Sequence, residues 1–188
     1  MSRDISDAVL EGDPYEQAAA LTRRVFPISL GAKVRICYSV SLSAVGFAPA
    51  IAYRRELIRT VEPAVAPSPA FVLVGAIGIL LTFLFGLSLV GLRLFVRRTE
   101  LDFESAAHLI RIEDLLMVFA VSTGLLFVAV PLGLAVLGVF SPDSIHWLYD
   151  RDIRVYRPST NGLANPTLVS AGGVLTAIAL FVLDVATR

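Results

Sequence analysis

Three charged residues at the ends of apolar runs are the side chains of this sequence best placed for a specific interaction: Arg35, Arg93 and Asp184. Each continues, at about 100° per residue, a stripe of small residues along a helical run. If the runs cross a membrane, all three lie on the same side of it, where a charge normally faces protein or water and pairs. One interpretation is a structural charge cluster, in which Asp184 accepts a salt bridge from Arg93 or Arg35. The other is that the arginines reach the lipid headgroups and Asp184 remains unpaired at the interface.

The other residue types that support chemistry do not form a constellation. His108 and His146 lie in different connections between apolar runs, so we do not expect them to share a haem or a metal. Asp150 and Asp152 could suit a hard cation, but their polar segment is more typical of a solvated loop. We therefore predict no catalytic, cofactor-binding or metal-binding residue. We favour a non-enzymatic protein and rank a membrane enzyme that acts on lipid last.

The composition indicates a membrane protein. Of the 188 residues, 56% are hydrophobic and 17% are charged, whereas about 25% of the residues in a typical soluble domain are charged. A soluble core of this size could not hide so much apolar surface. The formal net charge is zero, so the chain offers no basic surface for nucleic acid, and we expect no nucleic-acid partner.

Four apolar runs approach the length of about 20 residues that a helix needs to cross a bilayer. They cover roughly residues 34–53, 71–96, 115–140 and 168–186. The first is the weakest because three serines and Pro49 dilute it; it is re-entrant or interfacial if one of the four does not span. The predicted fold is an all-α integral membrane protein with a bundle of four transmembrane helices over residues 34–188.

Residues 1–33 form a predicted N-terminal tail with a short amphipathic helix. Asp13 suits the N-cap, Pro14 the first helical position and Glu16 the third position of a capping box. The face that includes Tyr15 and Ala18 is only weakly apolar. This helix either lies on the membrane surface or packs on its own bundle.

The distribution of arginine and lysine predicts the orientation, because cytoplasmic flanks carry more of them. Nine basic residues fall on the side of the termini: Arg23, Arg24, Lys33, Arg35, Arg93, Arg97, Arg98, Arg111 and Arg188. Six fall on the other side: Arg54, Arg55, Arg59, Arg151, Arg154 and Arg157. We therefore expect both termini in the cytoplasm. The strong preference for arginine over lysine is typical of a GC-rich prokaryotic genome, so we expect a prokaryotic cell membrane, and a viral envelope fits the same description.

Each predicted span carries one stripe of small residues, the feature that lets helices approach closely in lipid. The stripes are Ser39, Ser43, Gly46 and Ala50 in the first, Gly75, Gly78, Thr82 and Gly86 in the second, Ser122, Ala129 and Gly133 in the third, and Ser170, Gly173 and Ala177 in the fourth. They predict packing within one compact bundle, or a homo-oligomer contact through the glycine-rich second span.

These features favour a small multi-pass membrane protein that works through helix packing, as a scaffold, an envelope protein or an accessory subunit. Its expected partners are the lipid bilayer and either another membrane protein or a second copy of itself. The alternative is a homo-oligomeric channel or holin-like pore lined by the small-residue faces.

Overall fold

A computed structural model describes residues 13–50, 65–67, 69–140, 147, 150–151, 156–158 and 166–187. These residues are helical except for short connections and one pair of three-residue strands. The elements are α1 (Pro14–Leu21), α2 (Leu30–Ser43), a 3₁₀ turn (Ala44–Gly46), β1 (Val65–Pro67), α3 (Pro69–Arg98), α4 (Phe103–Thr123), a π-helical segment (Gly124–Ala129), α5 (Val130–Phe140), β2 (Tyr156–Pro158) and α6 (Pro166–Ala186).

Three stretches of helix are long and apolar enough to cross a membrane, judged by length and composition. They are Val72–Arg98, Phe103–Leu134 and Thr167–Ala186. The weak first run forms α2, the 3₁₀ turn and helical residues 47–50, and its last three predicted residues lie outside the described part of the chain. Helix α2 begins earlier than predicted because the hydroxyl oxygen of Ser29 caps it, accepting a hydrogen bond from the Ala32 N–H at 3.3 Å.

The N-terminal helix α1 packs on the bundle. The Asp13 carboxylate caps it by accepting a hydrogen bond from the Glu16 N–H at 2.7 Å, and Pro14 occupies its first turn. Its buried Ala18 lies in a small apolar cluster with Ala106 and Ile110 of α4. The sequence left open whether this helix lies on the membrane surface or packs on its own bundle, and in the structure it packs on the bundle.

Helix α4 begins well before the predicted start of the third span. The sequence suggests a partly helical connection up to Asp114, but α3 and α4 are joined only by residues 99–102, and α4 starts at Phe103. The extra turns are amphipathic and present Ala106 and Ile110 to α1. Because burial of that face stabilises the helix, the helix continues through the polar segment.

A π-helical segment precedes Pro131 within the third run. Proline cannot donate the hydrogen bond that would continue the helix, and the preceding turn is wider, with the Val130 N–H directed to the Leu125 carbonyl. Such bulges shift the register of the residues that follow them. Residues after Gly124–Ala129 are therefore rotated about the helix axis relative to the positions that a regular α-helix would give them.

The bundle has two ends, which can be told apart by their contacts. At one end, called here the strand end, β1 pairs antiparallel with β2, so that Val65 lies opposite Pro158, and Phe47 packs in a core cluster with Val169. At the other, called here the charged end, Val34 packs with Leu89 and Leu180. The chain therefore passes from the charged end to the strand end along α2 and residues 44–50, and returns along α3.

The glycines of the second and fourth stripes lie where helices approach closely. A Cβ atom added at Gly78 would be 2.6 Å from the Phe127 Cβ, and one at Gly173 would be 2.6 Å from the Ser41 carbonyl oxygen. Both distances are shorter than a Cβ can accept. The remaining members of these two stripes are also buried: Gly75, Thr82, Gly86, Ser170 and Ala177.

The first and third runs present different faces from those expected. Ser39 and Ser43 are exposed, and so are the third-run residues Ser122, Ala129 and Gly133, whereas Gly46 and Ala50 are partly buried. In α2 the buried face instead follows Lys33, Val34, Cys37 and Ser41, because the ion pairs of Lys33 point that face inward. In the third run the close approach is made by Gly124, whose added Cβ would lie 2.6 Å from Val40 Cγ1, so the face with Gly124 packs inside instead of the predicted stripe.

Candidate functional site

The charged end of the bundle holds two groups of ion-paired side chains, each of which joins elements distant in sequence. The lysine cluster consists of Tyr15, Arg24, Lys33, Glu113 and Asp114. The Asp184 cluster consists of Arg35, Arg93 and Asp184, with Arg97 and Thr187 beside it. Every buried charged side chain of the described residues belongs to one of these two clusters.

The lysine cluster is centred on an ammonium group that water does not reach. The Lys33 Nζ atom lies 2.6 Å from Glu113 Oε1 and 2.7 Å from Asp114 Oδ1. Lys33 and Glu113 are both 0% exposed. Since an isolated buried charge is strongly disfavoured, two carboxylates beside one ammonium group require a further cation nearby.

That cation comes from the segment that follows α1. Arg24 Nη2 lies 2.8 Å from Glu113 Oε1, and the Val25 backbone N–H donates a hydrogen bond to Asp114 Oδ2 at 2.6 Å. Two positive and two negative groups make the cluster neutral. Because α2, α4 and the segment after α1 each supply members, the cluster fixes the N-terminal segment on the bundle.

Tyr15 completes the cluster from within α1. Its hydroxyl donates a hydrogen bond to Glu113 Oε2, the carboxylate oxygen that Lys33 does not contact. Burial, reinforced by the neighbouring Glu113 carboxylate, raises the pKa of the Tyr15 hydroxyl far above its usual value. The hydroxyl therefore stays protonated and remains a donor over the whole physiological range.

The Asp184 cluster brings together the three residues that the sequence grouped. Arg93 Nη1 lies 2.9 Å from Asp184 Oδ1, whose side chain is 0% exposed. Arg35 is more distant, with its Nε 4.0 Å from Asp184 Oδ2, and its side chain is 53% exposed. Of the two predicted donors, Arg93 thus makes the close contact, and α3 is joined to α6 at the charged end.

The surroundings of Asp184 reinforce this junction. Arg97, one helical turn beyond Arg93, donates a hydrogen bond to the Thr187 carbonyl oxygen at the end of α6. Gly31 at the start of α2 lies close by, since a Cβ there would be 3.6 Å from Asp184 Oδ1 and 3.7 Å from Arg93 Nη1. Helices α2, α3 and α6 therefore meet around a single carboxylate.

Sequence reasoning missed the lysine cluster. Two signals pointed to it: Lys33 is the single lysine of the chain, next to an apolar run, and Glu113 and Asp114 are adjacent acids just before another. Neither signal shows that Lys33 pairs with Glu113 and Asp114, because these residues are far apart in the chain. The contacts of Arg24 and Tyr15 form only when the N-terminal segment packs on the bundle.

The other candidate chemistry lies apart from these clusters. His108 is exposed on α4, and Asp150 is exposed near Trp147, over whose ring the Arg151 guanidinium lies 3.8 Å from the centroid. His146 and Asp152 lie outside the described residues. Within the described part of the chain, no group of three histidine, cysteine or acidic side chains is arranged to hold a metal ion.

What the clusters can do chemically follows from their pairing. In the lysine cluster, each carboxylate contacts cations and hydrogen-bond donors of this same chain, and the charges balance. Such an arrangement holds helices in register and orientation, with no free base or nucleophile among the cluster residues. Comparisons with known protein families, curated proteins and solved structures find no match for this chain.

Proposed function

We propose that this chain is a four-span membrane protein that acts as a non-enzymatic scaffold or accessory subunit, with both termini on the cytoplasmic side. The observation that carries the proposal is the pairing at the charged end. The buried charges of the described residues are matched within the chain. A bundle held this way presents a fixed surface to a partner.

Support for membrane insertion comes from the outer faces of the long helices. Large apolar side chains are exposed along α3, α4 and α6, including Leu80, Leu84, Phe119, Leu175 and Phe181. In water such continuous apolar surfaces would favour association. In a bilayer they are the expected lipid-facing surface.

Support for four spans comes from the course of the first run. Residues 30–50 begin beside Arg93 and Asp184, at the charged end, and end beside Gly75 and Val169, at the strand end. They therefore run alongside α3 from Arg93 to Gly75. Lys33 and Arg35 belong to the charged end, where they lie outside the apolar section. A cytoplasmic charged end agrees with the excess of basic residues there.

The pore alternative has less support than the scaffold. A lumen lined by the glycine face of α3 would need that face to be open, but Gly78 lies against Phe127 and Gly86 lies against Leu180. The glycines thus contact other helices of the same chain. A scaffold requires no lumen, and its apolar faces remain available for another membrane protein.

Cysteine labelling in intact cells tests the four-span topology. With Cys37 replaced by alanine, single cysteines are placed at the exposed positions Arg23, Ser105 and Asp150. A membrane-impermeant maleimide should label Asp150→Cys and spare both Arg23→Cys and Ser105→Cys until the cells are opened. Labelling of Arg23→Cys together with protection of Ser105→Cys would show that the first helix does not span.

Native mass spectrometry after gentle extraction from the protein's own membranes tests the scaffold role. We expect a defined complex with a second polypeptide, and no ion flux when the purified chain alone is placed in liposomes. A symmetric homo-oligomer that conducts ions would overturn the scaffold and favour the pore. If the chain conducts, Gly78→Leu on the glycine face should reduce the flux, and Gly91→Leu on the same helix is the control, because Gly91 belongs to no small-residue stripe and nothing lies within 4 Å of a Cβ added there.

A further inference from the structure

A groove of about 270 Å³ lies between the segment after α1 and the first half of α4. Its lining includes two arginines, Arg23 and Arg111, and four apolar side chains, Val25, Ile110, Leu115 and Val118. The groove borders the lysine cluster, since Asp114 belongs to that cluster and also lines the groove.

The two arginines give the groove an unbalanced positive charge. Both are exposed, and neither forms an ion pair with another described residue. Asp114 does not neutralise them, because its Oδ1 faces Lys33 and its Oδ2 accepts the Val25 N–H. Two guanidinium groups that line one groove are suited to a phosphate group, whose oxygens accept N–H hydrogen bonds in pairs.

The apolar part of the groove continues from the arginines along α4. Arg111, Leu115 and Val118 are spaced four and three residues apart, so they follow one face of the helix. Leu115 is 54% exposed and Val118 is 37% exposed. Leu115 also begins the apolar run, so the arginines stand at its polar border and the two aliphatic side chains lie deeper. The complementary ligand is anionic at one end and aliphatic at the other.

We propose that this groove binds one anionic phospholipid of the surrounding leaflet. The phosphate lies between Arg23 and Arg111, and an acyl chain runs over Leu115 and Val118. Basic pockets next to membrane helices on the cytoplasmic side are suited to anionic headgroups. The proposal rests on the proposed membrane insertion, and it assigns the N-terminal segment a role in lipid selection, since α1 and the lysine cluster hold Arg23 in place.

The test is lipid titration of the delipidated protein in detergent, followed by native mass spectrometry. Phosphatidylglycerol should bind as a single retained molecule, more tightly than phosphatidylcholine. Arg23→Gln and Arg111→Gln should each weaken phosphatidylglycerol binding about fivefold, and the double variant about 25-fold. Arg98→Gln, an exposed arginine at the end of α3, is the matched control and should change nothing.

Two outcomes would overturn the proposal. The first is a double variant that binds phosphatidylglycerol as tightly as the wild type, or an Arg98→Gln variant that loses as much. The second is displacement of the lipid by inorganic phosphate at equal concentration, which would indicate an anion site without a role for the acyl chain. Melting temperatures of all variants check that they fold. If lipid binding fails while the cysteine labelling pattern holds, only the lipid proposal falls; an altered labelling pattern refutes the topology instead.

Discussion

Replacing Lys33 with methionine is the most informative perturbation of this protein. Methionine nearly matches the length and volume of the lysine stem but removes the ammonium group that lies 2.6 Å from Glu113 and 2.7 Å from Asp114. Among the described residues, Arg24 then remains as the only cation paired with either of the two carboxylates. Because both Lys33 and Glu113 are 0% exposed, water cannot compensate without opening the cluster.

The expected loss follows from the burial of the pair. Removing one partner of a buried ion pair costs about 3–5 kcal/mol of the free energy of unfolding, since the other charge stays buried and uncompensated. Arg35→Met is the matched control on the same helix. Its side chain is 53% exposed and its nearest carboxylate contact is 4.0 Å away, so its loss should be less than about 1 kcal/mol.

Equilibrium unfolding in mixed detergent micelles measures both losses, and a double variant tests their origin. Lys33→Met combined with Asp114→Asn restores neutrality, so the double variant should be more stable than the sum of the single losses predicts. Equal losses for Lys33→Met and Arg35→Met would refute the reasoning. Strict additivity in the double variant would do the same, because it would show that the ammonium group and the carboxylate are not coupled.

Three further predictions concern the other contacts of the bundle. The single variants Asp184→Asn and Arg93→Gln should each lower the melting temperature in detergent, and the double variant should lower it by less than their sum; additive losses would show that the pair contributes no coupling. Gly78→Ala should cost about 1–3 kcal/mol by overpacking against Phe127, while Gly91→Ala, with nothing within 4 Å of its added Cβ, should cost nothing in the same unfolding assay. Tyr15→Phe should lower stability by about 1 kcal/mol at neutral pH. Because the pKa of Tyr15 is raised in the folded state, its contribution is complete below the unfolded pKa of about 10 and is lost as the pH rises through the folded value; a difference from wild type that grows above that pH would contradict this.

The sequence predicts the local features of the fold well, because they depend on neighbouring residues. Asp13 and Pro14 determine the start of α1 through capping and a fixed φ angle. The apolar runs predict the three long helices. The glycines of α3 are predicted to share a face by their spacing, and the structure places that face inside the bundle.

The features that the sequence did not predict depend on contacts between distant segments. The start of α4 at Phe103 depends on a face that packs against α1. The inward face of α2 is set by Lys33, whose carboxylate partners come from another helix. In the third run the face that packs on α2 is the one with Gly124, so Ser122, Ala129 and Gly133 lie on the exposed side.

The two ends of the bundle are held together by different physical means, and this difference bears on function. At the strand end, a short antiparallel strand pair and an apolar cluster around Phe47 join the helices. At the charged end, ion pairs join them, and the N-terminal segment is part of the neutral lysine cluster. Because Glu113 binds Arg24 and Tyr15 from that segment, any event that weakens the lysine cluster should also loosen Arg23 in the groove that it lines with Arg111. Lipid selection at the groove and stability of the charged end should therefore change together, so Lys33→Met should weaken phosphatidylglycerol binding although Lys33 does not line the groove.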